Sequence, residues 1–220
     1  MIDLKRYMHA AKRPLAVVLV GGALAVSLQG CVGVMVGGVV AGTLAATDRR
    51  TLGAQTEDKA IAVKGEIAIP KVVGDAGHVN VTSFNRKVLL TGEVPSEAAK
   101  EAAAREAASI EGVQSVVNEL AVSGASGFGS RSNDALITGK VKASIVDNRT
   151  LYANSIKVVT ERGIVYLMGR VTDKEGNLAA EITRGVSGVQ KVVKVFEYIS
   201  DDEYRVLTTT PEAQQTQTKQ

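Results

Sequence analysis

The chain has 220 residues with 26 Lys or Arg and 23 Asp or Glu, which gives a formal net charge of +3. Residues 1–30 carry four bases and one acid, so residues 31–220 hold 22 charges of each sign and are neutral. This balance, together with 4% aromatic residues and no Trp, argues against nucleic-acid binding, which needs a basic surface or stacking platforms. The length allows one medium domain or two small ones.

An uncharged stretch follows four basic residues near the start of the chain, namely Lys5, Arg6, Lys12 and Arg13. A basic segment followed by an apolar one, here over about 14–26, is typical of an export signal. The stretch ends in Leu-Gln-Gly-Cys at residues 28–31, which resembles the lipobox of bacterial lipoproteins. This resemblance implies that residues 1–30 are removed and that Cys31 carries a diacylglycerol and an acylated amino terminus. Residues 31–57 then form a lipidated spacer rich in Gly, Ala and Val.

Two other interpretations of this region stay open. Residues 15–46 contain no charged residue, and a run of that length is also compatible with a transmembrane helix. The Gly and Val residues of 32–46 are poor helix formers and count against that interpretation. In the second of these interpretations, Cys31 is a buried and inert thiol. Since Cys31 is the only Cys, no disulfide forms within the chain.

Two segments of the chain repeat each other. Lys-Val-Leu-Leu-Thr-Gly-Glu-Val at 87–94 aligns with Ile-Val-Tyr-Leu-Met-Gly-Arg-Val at 164–171. Downstream, Gly-Val-Gln-Ser-Val-Val at 112–117 aligns with Gly-Val-Gln-Lys-Val-Val at 188–193. Because the spacing changes by only one residue, we infer an internal duplication. We place the copies at 58–123 and 133–200, separated by a linker at 124–132.

Each copy begins with a predicted helix and a hairpin. The helices cover about 58–68 and 133–146, and the second helix has Ile137, Val141 and Ile145 on one face. Two β-branched runs follow in each copy, joined at Asn85-Arg86 and at Arg162-Gly163, and they predict antiparallel hairpins.

A second helix and a last strand complete each copy. The helices are predicted at about 96–110 and 173–186, with Ser96 and Asp173 as N-caps. A Gly ends each helix and a Val-rich strand follows. The sequence therefore predicts an α+β fold of two tandem αββαβ domains, each a three-stranded mixed sheet with two helices packed on one face.

Short motifs in both copies resemble BON domains, which are small αββαβ modules of bacterial envelope proteins. Leu-x-Gly occurs at 90–92 and 167–169, and Gly-Val-x-x-Val-x-Asn at 112–118, although the second copy has Lys194 in place of Asn. With the lipobox, the chain resembles dual-BON outer-membrane lipoproteins over about 28–200. This resemblance implies a lipid-anchored protein on the periplasmic face of the cell outer membrane that supports envelope integrity and acts in cell division. The tail at 201–220 is expected to be disordered.

The sequence offers little for catalysis. Without residues 1–30, the chain keeps one His, His78, and its Cys is expected to be acylated. It shows no spacing typical of a catalytic triad, a zinc site or a phosphate loop. Glu97 and Glu101 lie four apart, as on an ordinary solvated helix face. We therefore predict that the protein is not an enzyme and has no catalytic residue, metal site or cofactor.

The second copy is the more basic one. It holds ten bases and seven acids, whereas the first copy holds seven bases and nine acids. Each Lys or Arg near an anionic bilayer contributes about 1 kcal/mol, so we expect the second copy to bind anionic phospholipids such as phosphatidylglycerol and cardiolipin. The outer face of its first helix is more apolar than a solvated helix requires. The predicted phospholipid-binding residues are Phe128, placed in the Gly-rich loop before the helix, and Leu136, Gly139, Lys140, Ala143 and Val146.

Two alternatives to this prediction stay open. In the first alternative, Leu136 and Val146 pack against the first domain. The resemblance favours membrane contact instead, because such lipoproteins are described as binding anionic phospholipid through this helix. In the other alternative the protein is an adaptor that docks onto outer-membrane assembly or cell-wall remodelling machinery through the exposed helix or a sheet edge.

Overall fold

Helices and strands follow the same order twice along the chain. The computed structural model describes residues 48–148 and 150–208, and these residues belong to one unit. The first copy contains α1 (Leu52–Val73), β1 (His78–Phe84), β2 (Lys87–Val94), α2 (Glu97–Ser109), β3 (Ser115–Asn118) and β4 (Ala121–Val122). The second copy contains α3 (Phe128–Asp147), a 3₁₀ turn (Ala153–Ser155), β5 (Ile156–Glu161), β6 (Ile164–Val171), α4 (Asp173–Arg184), β7 (Lys191–Lys194) and β8 (Glu197–Tyr198), and α5 (Asp201–Thr208) follows. The predicted α+β fold of two tandem αββαβ domains is confirmed.

Two-residue turns close both hairpins where the sequence predicted them. β1 pairs with β2, and β5 with β6, in antiparallel fashion. The turn residues Asn85, Arg86, Arg162 and Gly163 all have positive φ angles, between 49° and 72°. Positive φ at both central residues is the geometry of a type I′ turn, whose twist matches that of the strands.

The last strand of each sheet is made of two short pieces. β3 and β4 both run parallel to β2, and β7 and β8 both run parallel to β6. Each sheet is therefore mixed, with three rows of which the third is interrupted, at residues 119–120 and 195–196. Asn118, the last residue of the Gly-Val motif, donates to the carbonyl oxygen of Lys100 on α2 at 2.8 Å. Lys194 at the equivalent position donates instead to Asn177 on α4 at 3.1 Å, so the departure leaves the fold intact.

The glycine of each Leu-x-Gly motif lies against the first strand of its hairpin. A Cβ atom on Gly92 would overlap the carbonyl oxygen of His78, and Gly92 also has a φ of 114°. A Cβ on Gly169 would lie 2.5 Å from the carbonyl oxygen of Ser155. Only glycine fits where two backbones approach so closely, and this explains why the motif has a Gly at its third position.

Side chains of the central strands are buried on both faces of each sheet. In β2, Val88 and Leu90 pack among the helices of their own copy, whereas Leu89 between them points the other way. The second copy has the same alternation, with a core of its own. The outward-pointing side chains of the two sheets meet in a third cluster, which we call the domain seam: Phe84, Leu89, Tyr166, Met168 and Val195. The layers are therefore helices, sheet, sheet and helices.

Several local expectations differ from the structure. The first helices are longer than predicted, because Ile69 and Val73 of α1 are buried and extend its packed face. Thr172, not Asp173, is the N-cap of α4, since its side chain and that of Glu175 form a reciprocal capping box. The prediction of disorder is wrong for residues 201–208, which form α5 with three acidic residues in its first turn, where they favour the helix dipole. The rest of the tail lies outside the described residues.

Candidate functional site

The predicted lipid-binding face lies on α3, and the buried side of that helix positions it. Ile137, Val141 and Ile145 are each at most 1% exposed and pack in the core of the second copy, as predicted. Asp134 ties the helix to the β5–β6 turn, because its carboxylate accepts the backbone N–H groups of Arg162 and Gly163, each at 2.8 Å. The opposite side of α3 is thereby turned toward solvent.

All six predicted residues lie on that exposed side. We call this set, Phe128, Leu136, Gly139, Lys140, Ala143 and Val146, the α3 outer face. At 100° per residue its members fall within an arc of about 120° around the helix. Phe128 is 87% exposed, and Leu136 and Val146 are each 66% exposed. The alternative in which Leu136 and Val146 pack against the first domain is therefore wrong.

Phe128 has a different setting from the predicted one. It is the first residue of α3 and not part of the preceding loop, because the helix begins after Gly127, which provides no side-chain cap. Since Phe128 precedes Val146 by five full turns, it shares the Val146 edge of the face.

A cleft with a positive lining adjoins the same edge. Its volume is about 400 Å³, and its walls combine apolar side chains such as Val146 with the cationic groups of Arg50, Lys142 and Lys157. Desolvation by burial and the nearby charge of Arg50 lower the pKa of Lys157, although Asp58 opposes this effect. An anionic group in the cleft would relieve the repulsion among these cations. Sequence reasoning missed this cleft, because its cations come from three separate segments.

Two consecutive arginines at the start of the described chain contact different domains. Arg49 forms a bidentate pair with Glu175 of the second domain at 2.8 and 2.6 Å, and its guanidinium also faces the ring of Tyr204. Burial alone would raise the pKa of Glu175, but the hydrogen bonds from Arg49 and Thr172 hold it below its ordinary value. Arg50 donates to Asp58 of the first domain at 2.8 Å.

A cluster of three polar side chains lies between the two sheets. His78 on β1, Glu93 on β2 and Glu161 on β5 bring one ligand atom each to within 4.8 Å of one another. His78 Nδ1 lies 3.3 Å from Glu93 Oε2, and Asn80 Nδ2 donates to Glu161 Oε2 at 2.7 Å. We call His78, Glu93 and Glu161 the seam cluster.

Both carboxylates of the seam cluster are buried. Glu93 is 1% exposed and Glu161 is 6% exposed. Burial raises the pKa of Glu161, and the charge of Glu93 raises it further, whereas the hydrogen bond from Asn80 and the nearby His78 lower it. No sequence spacing indicated this group, because its members come from three strands of two repeats and meet only through the domain seam.

Cys31 lies outside the described residues. Within the ranges 48–148 and 150–208, the structure has no helix of the length and apolarity that crossing a bilayer requires. Exposed apolar side chains also occur elsewhere among the described residues. Sequence reasoning missed the pair Val63 and Ile67, which lie one turn apart on α1 and are 54% and 58% exposed.

Comparisons with known proteins agree with the two-domain architecture. The BON domain family profile matches residues 58–124 and 133–200. The chain is 41% identical over 174 residues to the outer membrane lipoprotein DolP of Haemophilus influenzae, covering 78% of this chain and 90% of that protein. It is 35% identical over 154 residues to the 21 kDa hemolysin of Actinobacillus pleuropneumoniae, with coverages of 69% and 79%.

A more distant relative shares about half of the chain. Osmotically-inducible protein Y of Escherichia coli is 31% identical over 117 residues, which cover 52% of this chain and 58% of that protein. The extent of these matches and the duplicated αββαβ fold lead to one conclusion: the chain belongs to the BON family and is a dual-BON protein similar to DolP.

Proposed function

We propose that this chain is an outer-membrane lipoprotein, anchored through Cys31, whose second BON domain binds anionic phospholipid through the α3 outer face. The lipobox at 28–31 and the similarity to the outer membrane lipoprotein DolP support the anchor. In this proposal the protein supports outer-membrane integrity from the periplasmic face and acts at division sites. It performs no catalytic step.

The exposure of three large apolar side chains on one helix carries the proposal. Phe128, Leu136 and Val146 remain between 66% and 87% exposed. Complete burial of such a side chain contributes about 1.5–3 kcal/mol, so transfer of this face into the boundary of a bilayer is favourable. Gly139 adds no side chain between them, and a Cβ placed there would meet nothing within 4 Å.

Cations beside the face supply the preference for anionic lipid. Lys140 belongs to the face, and Lys142 and Lys157 line the adjoining cleft. Each contributes about 1 kcal/mol next to an anionic surface. A phospholipid phosphate in the cleft would lie beside Val146 while its acyl chains meet the apolar face. We therefore expect phosphatidylglycerol and cardiolipin to bind better than neutral lipids.

Sedimentation with vesicles tests the proposal. The unacylated chain from residue 47 onward contains all described residues, and circular dichroism establishes that it is folded before use. We expect it to sediment with phosphatidylglycerol vesicles and much less with phosphatidylcholine vesicles. Leu136→Asp and Val146→Asp should each weaken binding at least about tenfold, because they place a charge in the apolar contact.

Val63→Asp is the matched control. Val63 is also an exposed apolar residue on the first helix of a BON domain, but it lies in the first domain. This variant should bind like the wild type. Equal binding to both vesicle types, or unchanged binding by Leu136→Asp, would contradict the proposal.

The exposed pair on α1 favours a second candidate function, that of a protein-interaction adaptor for outer-membrane assembly or cell-wall remodelling machinery. Val63 and Ile67 present an apolar patch that phospholipid binding through α3 leaves free. Site-specific crosslinking in intact cells separates the two functions. One dominant protein partner at Val63, still captured after depletion of anionic lipid, would favour the adaptor.

A further inference from the structure

Two polar atoms in and beside the seam cluster have no hydrogen-bond partner. Among the described residues, Glu93 Oε1 is buried and has no hydrogen-bond partner, and the same holds for Thr91 Oγ1. Thr91 and Glu93 alternate with Gly92 on β2, so both point to the same side of the sheet. Their partners across the hairpin, Asn80 and His78, lie on that side as well. A buried carboxylate oxygen that lacks a donor is costly, because it loses its hydration without compensation.

The charges of the cluster are also unbalanced. Glu93 and Glu161 are both acidic, and His78 supplies at most one positive charge. Two buried carboxylates this close repel each other unless a proton or a cation lies between them. The hydrogen bond from Asn80 to Glu161 adds polarity but no charge.

A path from solvent reaches the cluster. A cleft of about 280 Å³ is lined by His78, Asn80 and Glu161 from the strands and by Arg131 and Asp134 from α3. The Arg131 guanidinium donates to the carbonyl oxygen of Ser126 at 2.9 Å. The cleft thus offers room for a water molecule beside His78 and Glu161.

We propose that His78, Glu93 and Glu161 bind one divalent transition-metal ion, of which Zn²⁺ is the best match. One imidazole nitrogen and two carboxylate oxygens form a three-ligand set that suits Zn²⁺, with water from the cleft as the fourth ligand. Donor atoms in a tetrahedral zinc site lie about 3.3–3.5 Å apart. The three ligand atoms here lie within 4.8 Å of one another, so small side-chain rotations would bring them to that spacing. The ion would accept electron density from Glu93 Oε1 and balance the carboxylate charges.

The ion would link the two BON domains. Two ligands come from the hairpin of the first domain and one from β5 of the second. Because the site exists only when the domains are packed together, binding stabilises that arrangement by mass action. This inference is independent of phospholipid binding, because the seam cluster and the α3 outer face have no residue in common.

Calorimetric titration with ZnCl₂ tests the proposal. The protein is the untagged full-length lipoprotein in non-ionic detergent, stripped with a chelator. His9, the other His, lies in the predicted signal, so His78 is the imidazole of the processed chain. We expect one Zn²⁺ per chain at micromolar affinity or better, and a thermal midpoint that rises by at least about 3 °C with Zn²⁺.

His78→Ala and Glu161→Gln should each weaken zinc binding at least tenfold and abolish the thermal shift. Glu161→Gln is nearly isosteric and keeps an acceptor for Asn80, and both variants are checked for a cooperative transition in the presence of chelator. Glu66→Gln, a change on the exposed side of α1, is the control and should bind zinc like the wild type. The proposal is overturned if the wild type binds no zinc at micromolar concentration, or if both variants keep its affinity.

Discussion

A buried aspartate fastens the hairpin turn in each repeat. Asp58 accepts the backbone N–H groups of Asn85 at 2.7 Å and Arg86 at 2.8 Å, as Asp134 does for the other turn. Backbone groups in such a turn point away from the strands and need partners, which the carboxylate supplies. The two residues align between the copies, but sequence alone did not show their role, because the acceptor and the turn lie about 28 residues apart.

Asp58→Asn should destabilise the protein by about 2–4 kcal/mol at pH 7, since it removes the charge opposite Arg50 and one acceptor oxygen. Burial would raise the pKa of Asp58, but hydrogen bonds from Ser83, Arg86, Arg50 and Asn85 hold it below the ordinary value of 3.8. The wild-type advantage is therefore complete above pH 3.8 and is lost as the pH falls through the folded-state pKa. Urea unfolding at pH 7 and pH 3 measures it.

Asp75→Asn serves as the control for this change, because Asp75 is exposed beyond the end of α1. Its stability should follow that of the wild type within about 0.5 kcal/mol. A gap between Asp58→Asn and the wild type that is as large at pH 3 as at pH 7 would show that charge is not the cause.

At the scale of the element, hydrophobic periodicity predicted α3 well on its buried side. Ile137, Val141 and Ile145 have helical spacing and are buried as expected. The start of the helix was not predictable in the same way. Gly127 gives no capping signal, and the residues that follow it include Gly129 and two serines, which favour loops in isolation. Tertiary packing of the later turns overrides these weak local preferences.

Gly139→Ala should stabilise the protein by about 0.5–1 kcal/mol, because an exposed helical glycine costs backbone entropy and an added Cβ meets nothing within 4 Å. Thermal unfolding measures the effect. Gly169→Ala is the contrasting variant and should be clearly destabilising, since its Cβ would lie 2.5 Å from the carbonyl oxygen of Ser155. Loss of stability in Gly139→Ala would mean that another part of the chain covers this face.

At the scale of the whole molecule, the duplication and the order of elements were readable, whereas the packing of one sheet against the other was not predicted. The signal was present in the central strands. Residues 88–90 and 165–168 are continuously apolar, which is typical of strands buried on both faces and not of a sheet with one solvated face. The polar seam cluster could not be predicted in the same way, because it depends on the relative register of two sheets that no sequence period encodes.

Met168→Ala should lower stability by about 2–5 kcal/mol, because Met168 is fully buried in the domain seam. Since both domains share the seam, amide hydrogen exchange should accelerate in β1 and β2 as well as in the second domain. Leu136→Ala, at an exposed position of the same domain, should change stability by less than about 0.5 kcal/mol. Exchange that accelerates only in the second domain would show that the two domains are energetically independent.

The pair Arg49 and Arg50 fixes the point where the chain leaves the folded domains, because one arginine contacts each of them. If the protein is anchored at Cys31, the 17 residues from 31 to 47 form the linker to the membrane, and a chain of that length spans at most about 60 Å. Such a linker keeps the two domains close to the membrane surface, so the effective concentration of lipid around them is high. A modest intrinsic affinity of the α3 outer face for phospholipid would then be sufficient for frequent contact.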